Sequence, residues 1–380
     1  MPNLLVLSAA VGAGHLRAAQ ALEQALKELA PQAHVQNVDV LTLTNAAFRK
    51  LYGQAYLDLV NRAPHMLGYL YDFLDRPVSK ASARRDRFRL LVQKANLAKF
   101  RALLDSKPWD LILNTHYLPA ELVADRKRTE AWHVPQWTVT TDFDTHRLWK
   151  HLPCERYTTA TDEGAAYLAS MGVPRETIHV TGIPIHPLFA KPKSRAEAVA
   201  ELGLRGDRPI LLQLAGGFGV GPLEQIYTQL LELERPLEIV VVCGKNAKLK
   251  AQLERLAVPR RHAARVMGFT DKMDALLAAA DLVLSKPGGL TTSEILARGA
   301  ALAILNPIPG QETRNSDYLL EAGAAIKINN PAILGYKLSK LFDDPDRLIR
   351  LKRNAKRLGK PRAAYEIASA ALASLRTSAS

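Results

Sequence analysis

Residues 285–315 read SKPGGLTTSEILARGAALAILNPIPGQETRN, and their polar side chains are spaced to hold a phosphorylated sugar. Gly288 and Gly289 let the backbone approach a phosphate closely, the helix that follows offers unpaired N–H groups and partial positive charge, and Lys286 adds a full charge. The Thr-Thr-Ser at 291–293 predicts the helix start there. Glu294 then falls in the first turn, where a carboxylate can accept two hydroxyl hydrogen bonds from a ribose. A second apolar run, 301–305, ends in Pro307, Pro309, Gly310, Gln311 and Glu312. The last two are short polar arms of the kind that hold sugar hydroxyls. These residues together point to a nucleotide diphosphate with a hexose attached.

A second set lies in the first half. Gly12-Ala-Gly-His15 follows an apolar run and precedes a helical pattern, yet the third glycine of a dinucleotide fingerprint would fall at Arg17, so that reading fails. What remains is an imidazole at a helix N-terminus. The positive end of the helix dipole disfavours its protonation and leaves a proton acceptor suited to an alcohol nucleophile, unless the ring merely caps the helix. Thr141-Asp142-Phe143-Asp144-Thr145-His146 adds two carboxylates and another imidazole. Its D-x-D could hold a divalent cation on a diphosphate, but residues 286–312 already supply a metal-free diphosphate site, and no metal or cofactor is expected. His146 and Trp149 either line the site or pack.

Gly216, Gly217 and Gly219 end another apolar run, where they either clear room for a diphosphate or make a bare turn. Lys245 and Asn246 end the next and can reach a nucleotide. Neither GGFGVGPLE nor SKPGGLTTSE has the order of a Walker A loop.

The elements that must position these residues are legible as apolar runs separated by helical stretches. In the first half strands are expected at 4–7, 34–40, 111–114, 136–140, 156–159 and 177–181, with a helix at 16–29. Between 41 and 107 the pattern turns helical and irregular, an insertion on a parallel αβ scaffold. In the second half, runs at 210–215, 238–243, 265–267, 282–284, 301–305 and 325–328 imply a parallel, doubly wound sheet with ligand loops at the carboxyl ends of its strands. Prolines and polar residues after Pro184 mark a linker. The expected division is 1–188, a linker 189–208, a second domain 209–360, and a terminal helix at 361–380 that can return to the first domain.

The chain resembles the family of monogalactosyldiacylglycerol synthases and processive diacylglycerol glucosyltransferases, and more distantly the N-acetylglucosaminyltransferase of peptidoglycan synthesis. KPGG at 286–289, Glu294, and PGQE at 309–312 followed by Asn315 carry the likeness, with GAGH, TDFDTHRLW, TGIPI, GGFG and CGKN extending it along most of the chain. The resemblance implies an α/β fold of two Rossmann-like doubly wound domains facing a cleft, the GT-B architecture. It implies an inverting transfer of glucose or galactose from UDP-hexose to diacylglycerol. It makes Asp142 similar to the family's catalytic aspartate and His15 to its functionally important histidine, with either as the base. It puts the uracil against the backbone of Phe269, unless that ring is ordinary core, and the hexose on Gln311, Glu312 and Asn315. Transfer of N-acetylglucosamine to a polyprenyl-linked precursor, a UDP-sugar epimerase or hydrolase, and a non-catalytic UDP-sugar sensor stay open.

Composition limits the setting. A chain of 380 residues with 48% hydrophobic content suits two cores. No apolar run reaches the ~18 residues needed to span a bilayer, and the opening residues read as a strand rather than a signal peptide. Cys154 and Cys243 give neither a disulfide framework nor a metal cluster. The net charge of +14 calls for an anionic partner. From 76 to 107, Arg76, Lys80, Arg84, Arg85, Arg87, Arg89, Lys94, Lys99, Arg101 and Lys107 alternate with apolar residues such as Phe88, Leu90 and Leu91. That pattern fits an amphipathic helix on an anionic leaflet, with Arg84, Arg85, Arg87 and Arg89 as membrane or acceptor contacts, or else a solvated helix over a core. A second basic run at 347–362 reads as solvated surface. Zinc-finger spacing and RNP aromatics are missing, so no nucleic acid is expected. The expected location is cytoplasmic, peripheral on the inner face of the cell membrane.

Overall fold

The computed structural model describes residues 1–10, 12–45, 98–215, 223–305 and 307–377. The chain forms two compact units, the first comprising Met1–Pro187, Pro309–Gln311 and Arg362–Ser380, the second Leu188–Ile308 and Glu312–Pro361.

Among the described residues of the first unit, β1 (Asn3–Ser8), β2 (His34–Asp39), β3 (Leu111–Asn114), β4 (Gln136–Val139), β5 (Arg156–Thr159) and β6 (Ile178–Val180) form one parallel sheet in the order β2-β1-β3-β4-β5-β6. Its helices are α1 (Ala13–Leu29), α2 (Ala98–Asp105), α3 (Tyr117–Thr129) and α4 (Asp162–Ser170). Alternate side chains divide the sheet between two cores, as the period of two requires. Leu4, Val6, Leu111, Leu113, Trp137 and Val139 pack against the small face of α1, which buries Ala18, Ala19, Leu22, Ala25 and Leu26. The terminal helix Ala363–Thr377 completes that layer with Ala364, Ile367, Ala368 and Ala371. On the other face Leu5, Leu7 and Ile112 meet Val40, Phe100, Leu104, Leu118 and Val123.

Local chemistry sets bounds that the apolar pattern missed. The second strand stops at Asp39 rather than at residue 40, because the Asp39 carboxylate accepts from Leu41 N at 3.0 Å and Ala10 N at 3.1 Å and turns the chain. Helix α1 starts at Ala13 rather than residue 16, directly after Gly12, whose φ of 93° only glycine adopts readily. The expected strands 136–140 and 177–181 are shorter by one and two residues. Of the basic stretch 76–107, only its end lies among the described residues. There α2 buries Phe100 and Leu104 and exposes Lys99 and Arg101. Arg84, Arg85, Arg87 and Arg89 lie outside the described residues, as do Gly216, Gly217 and Gly219.

The second unit begins with α5 (Arg195–Leu202) and holds β7 (Ile210–Leu214), α6 (Leu223–Glu232), β8 (Glu238–Val242), α7 (Ala247–Leu253), β9 (Ala263–Met267), α8 (Met273–Ala279), β10 (Leu282–Ser285), α9 (Gly289–Arg298), β11 (Ala301–Leu305), α10 (Gln311–Glu321), β12 (Ala325–Ile328), α11 (Leu334–Phe342) and α12 (Pro345–Leu358). The sheet order β12-β11-β10-β7-β8-β9 is all parallel, and the four inner strands are buried on both faces, while edge strand β9 exposes Arg265 and edge strand β12 carries half-buried Lys327. The stretch 189–208, expected as linker, is folded into this unit. Ser194 and Glu197 form a capping box that starts α5, a signal hidden among prolines and charges. Arg298, at the end of α9, donates to Lys191 O at 2.8 Å, pairs with buried Asp274 at 3.6 Å, and stacks on Phe189. That clamps the start of the unit to the end of α9.

Helix α12 is seated on α9 through two glycines. A Cβ on Gly359 would lie 2.5 Å from Leu296 O, and one on Gly299 3.1 Å from Lys356 Cβ. Gly359→Ala therefore forces backbone against backbone, and the expected cost is about 1–3 kcal/mol. Gly335→Ala in α11 meets only Leu233 Cδ2, at 3.6 Å, and is expected to be neutral or slightly stabilising. Urea denaturation midpoints of the two variants check the contrast; equal midpoints would contradict this packing.

Candidate active site

In each sheet the strand order reverses at one point, between β1 and β3 in the first unit and between β7 and β10 in the second. Loops leaving such a pair of strands at their carboxyl ends diverge to opposite faces and open a crevice. His15 and Lys286–Gly289 lie at these points, while Asp142 follows β4, Glu312 and Asn315 follow β11, Lys245 and Asn246 follow β8, and Phe269 follows β9.

In the first unit, Thr115 ties the loops after β1 and β3 together, donating N–H to Leu7 O at 2.9 Å and its hydroxyl to His15 O at 3.0 Å. His15 lies in the first turn of α1 with Nδ1 at 3.1 Å from Thr115 O and 2.8 Å from Thr141 Oγ1. A carbonyl can only accept, so Thr115 O favours hydrogen on Nδ1 and leaves the lone pair on Nε2. Burial pushes the His15 imidazole down from 6.5 to about 4, against the opposing pull of the Thr115 carbonyl. Desolvation thus favours the neutral ring that the sequence attributed to the helix dipole.

Around it stand residues that the sequence did not single out. The His116 ring lies edge-on to His15 with centroids 4.6 Å apart, and Tyr117 lies 4.2 Å from His116. His116 caps α3, its Nδ1 accepting from Leu118 N at 3.0 Å. Its proton affinity falls well below the usual range, first through burial and then through His15, His146 and His151. A polar Thr-His-Tyr directly after the apolar strand Leu111–Asn114 was the available signal, at the strand end where parallel sheets present function.

Asp142 and Trp149 are both buried, and the Trp149 indole N–H donates to Asp142 Oδ2 at 3.3 Å. His146 Nε2 is 3.9 Å from the same oxygen, while His146 Nδ1 accepts from Leu148 N at 3.2 Å. Both rings of this pair therefore pack, and they carry the carboxylate with them. The result is one cluster of imidazoles, aromatic rings and a buried acid.

In the second unit the turn after β10 differs from expectation in one respect. Helix α9 begins at Gly289 with Gly288 as its N-cap, and no side chain caps it. Thr292 N makes the first helical bond, to Gly288 O at 2.9 Å, which leaves the amides of Gly289, Leu290 and Thr291 without helical partners. Glycine can cap with no side-chain signal, and so Thr-Thr-Ser drew the expected start too late. Glu294 consequently lies in the second turn, not the first, and is 1% exposed.

Strand β11 pairs with β10, so the next loop is brought alongside. The Glu312 carboxylate accepts from Ile308 N at 2.7 Å, and a Cβ on Gly288 would sit 3.6 Å from Glu312 Oε1. Burial raises the Glu312 proton affinity, opposed by the Ile308 amide and by Lys286. Asn315 is buried and donates Nδ2–H to Pro287 O at 3.1 Å, holding the KPGG turn from behind. Gln311 is the first residue of α10. Lys286, Gly288, Gly289, Glu312 and Asn315 are thereby gathered.

At the β8 end, Lys245 is exposed, while Asn246 spends its side-chain oxygen on Leu249 N at 2.9 Å as the cap of α7. Asn246 also borders a groove of about 860 Å³ between α6 and α7 that contains none of the other candidates. Phe269, after edge strand β9, is 75% exposed, which rules out a core role. Among the described residues no group of three or more His, Cys, Asp or Glu side chains is arranged to hold a metal.

Comparison with known proteins identifies the family. Residues 15–185 match the monogalactosyldiacylglycerol (MGDG) synthase family and residues 223–367 the glycosyltransferase family 28 C-terminal domain. A processive diacylglycerol beta-glucosyltransferase of Bacillus cytotoxicus is 30% identical over 376 residues, covering 96% of this chain and 92% of that protein. The Bacillus subtilis protein of the same description is 29% identical over 94% of this chain and 91% of its own. Among solved structures, Acinetobacter baumannii MurG has a TM-score of 0.62 at 18% identity, covering 97% of this chain and 99% of that one. Anabaena HepE in complex with UDP-glucose has a TM-score of 0.56 at 13% identity, covering 98% and 100%. These last two speak to the fold, two Rossmann-like units of the GT-B type. With a relative at this identity along nearly its whole length, the chain belongs to the glycosyltransferase family of the MGDG synthases and processive diacylglycerol glucosyltransferases.

Proposed function

We propose that this protein is an inverting, metal-independent hexosyltransferase that moves glucose or galactose from UDP-hexose to the free hydroxyl of diacylglycerol. The observation that carries the reading is the Lys286–Gly289 turn, where free helix-start amides and a lysine meet the Glu312 arm of the neighbouring loop. Such a site favours a diphosphate with a polyhydroxyl group beside it. The first unit supplies the acceptor side and the second the donor side.

In this reaction His15 Nε2 takes the proton of the acceptor hydroxyl. The oxygen attacks the anomeric carbon from the face opposite UDP, the carbon–phosphate-oxygen bond breaks, and its electron pair leaves on the β-phosphate. Lys286 and the amides of Gly289 and its neighbours stabilise that growing charge, with Gly216 and Gly217 bordering the diphosphate. Asp142 contributes negative charge to the imidazole cluster and favours the cation formed at His15. Glu294 holds the ribose, the Phe269 backbone reads the uracil, Lys245 steadies the diphosphate, and Gln311 and Glu312 hold the hexose. Asn315, committed to Pro287 O, acts by fixing the turn, and Asn246 by starting α7. The protein works as a peripheral protein on the inner face of the cell membrane, where Arg84, Arg85, Arg87 and Arg89 meet anionic lipid. Among the described residues no helix is long and apolar enough to cross a membrane.

Incubation with diacylglycerol, labelled UDP-glucose or UDP-galactose, and separation of the lipid products tests the activity; absence of any glycolipid would remove it. Glu294→Ala is expected to weaken UDP by roughly one to two orders of magnitude, the loss of charge-assisted hydrogen bonds worth ~1.5–3 kcal/mol. Calorimetry on the folded variant checks this, and unchanged affinity would remove the ribose assignment.

His15→Ala and Asp142→Asn are expected to retain UDP binding while turnover falls about a hundredfold or more. Near-normal transfer by both would move the chemistry elsewhere in the first unit. The acid limb of kcat/KM should also be displaced. Because burial lowers His15 to about 4, the base form persists as pH falls from 7 to 5, and activity is lost only below that range. A limb at 6.5 that vanishes in His15→Ala would mean an ordinary, solvated histidine.

A further inference from the structure

We propose that the outer face of α12 is a docking surface for an anionic lipid membrane, a contact in the second unit separate from residues 84–89. The proposal rests on the reading of this protein as one that works on a membrane lipid. Helix α12 is held by one face only. Leu351 and Ala355 are buried, Lys352 donates to Asp281 Oδ1 at 2.6 Å, and Asn354 donates to Gly323 O at 3.0 Å. The close approaches at Gly359 and Gly299 then prevent the helix from rolling, so its remaining face is fixed outward.

That outward face carries Arg347, Ile349, Arg350, Arg353, Lys356 and Arg357, all exposed, with Lys360 and Arg362 just beyond its end. At 3.6 residues per turn, Arg350, Arg353 and Arg357 form one line along a helix about 21 Å long. Ion pairing within the protein does not account for these charges. Arg350 has Asp344 at 3.9 Å, whereas Arg347, Arg353, Lys356 and Arg357 have no carboxylate within 4.0 Å among the described residues. In this unit Lys193, Arg195 and Arg298 are paired with acids, as is Lys352 on the inner side of α12, while exposed Lys248, Arg255 and Arg260 share with the stripe the lack of a carboxylate within 4.0 Å among the described residues but do not line one helix face. A row of unpaired cations on a fixed helix face complements an anionic surface.

Ile349 decides which anionic surface. It is 59% exposed in the midst of the cations, a placement with no use against water but a direct one against the headgroup–acyl boundary. A single-stranded nucleic acid would call for aromatic rings to stack its bases, and the exposed face of α12 carries none. The charge and the apolar side chain together select a lipid leaflet.

The test is sedimentation of the full chain with vesicles of phosphatidylcholine alone and of phosphatidylcholine with about a third phosphatidylglycerol, in 0.1 M and 1 M salt. Three variants are compared with the parent: Arg350→Gln/Arg353→Gln/Arg357→Gln on the stripe, Lys248→Gln/Arg255→Gln/Arg260→Gln as an equal loss of charge elsewhere in the unit, and Arg84→Gln/Arg85→Gln/Arg87→Gln/Arg89→Gln. The stripe variant is expected to bind anionic vesicles roughly a hundredfold more weakly than the parent, and the elsewhere variant to change much less. High salt should weaken the parent as the screening length contracts from ~10 Å to ~3 Å.

Binding by the stripe variant equal to the parent would overturn the proposal, as would equal losses in the stripe and elsewhere variants, or a loss seen with residues 84–89 alone. Tighter binding of the stripe to an RNA oligonucleotide than to the vesicles would overturn it too. Hexose transfer to dioctanoylglycerol in neutral detergent micelles separates this from the catalytic reading. The stripe variant should turn over there as the parent does. A parent that binds anionic vesicles through the stripe yet transfers neither hexose to micellar acceptor would remove the acceptor assignment and leave the lipid contact standing.

Discussion

Within each sheet every strand runs parallel to its neighbours, so in each unit the strand ends, and the starts of the helices that directly follow them, collect along one edge. Helix starts carry amides that the helix itself cannot satisfy, and along that edge they accumulate. Where the strand order reverses, two such loops turn away from each other and the amides face an opening rather than a neighbour. The first unit fills its reversal with imidazoles and a buried acid, the second with glycines, a lysine and short polar arms. Parallel pairing thus decides where such openings lie before any of the residues that line them is chosen.

The imidazole cluster depends on burial as much as on contacts. Four aromatic or imidazole rings, from His15, His116, Tyr117 and Trp149, lie within about 6 Å of a neighbour in the group. Burial lowers the proton affinity of the His15 and His116 imidazoles, although His15 and Tyr117 keep part of their surface exposed. The hydrogen bonds of the imidazoles are arranged for the neutral state. Thr115 O orients His15, and the amides of Leu118 and Leu148 each occupy the acceptor nitrogen of a capping histidine.

Much of this was legible in the sequence, for identifiable reasons. Strands buried on both faces are unbroken apolar runs, and the four inner strands of the second unit were visible as such, as were the shorter runs of its two edge strands. The failures share a cause, which is that the deciding interaction leaves no letter at its own position. Gly288 caps α9 without a side chain, so Glu294 was assigned to the wrong turn. Asn246 and Asn315 looked free in sequence, whereas one closes a helix start and the other holds Pro287 O. His116 follows a strand of only four residues and shows its importance through the ring of His15, a hundred positions away in the chain. The capping box at Ser194 lay among prolines that read as linker.

The terminal helix Ala363–Thr377 lies against α1, adding Ala364, Ile367, Ala368 and Ala371 to the core around β1 and β3. On the ribosome this reverses the usual order of assembly, in which the domain made first folds first. While the second unit is being translated, one flank of the early sheet waits, its alanine-lined helix uncovered, for residues 363–371, which are made after that unit. The later-made unit can finish first, and a truncation that removes residues 363–377 would uncover the core built from the start of the chain.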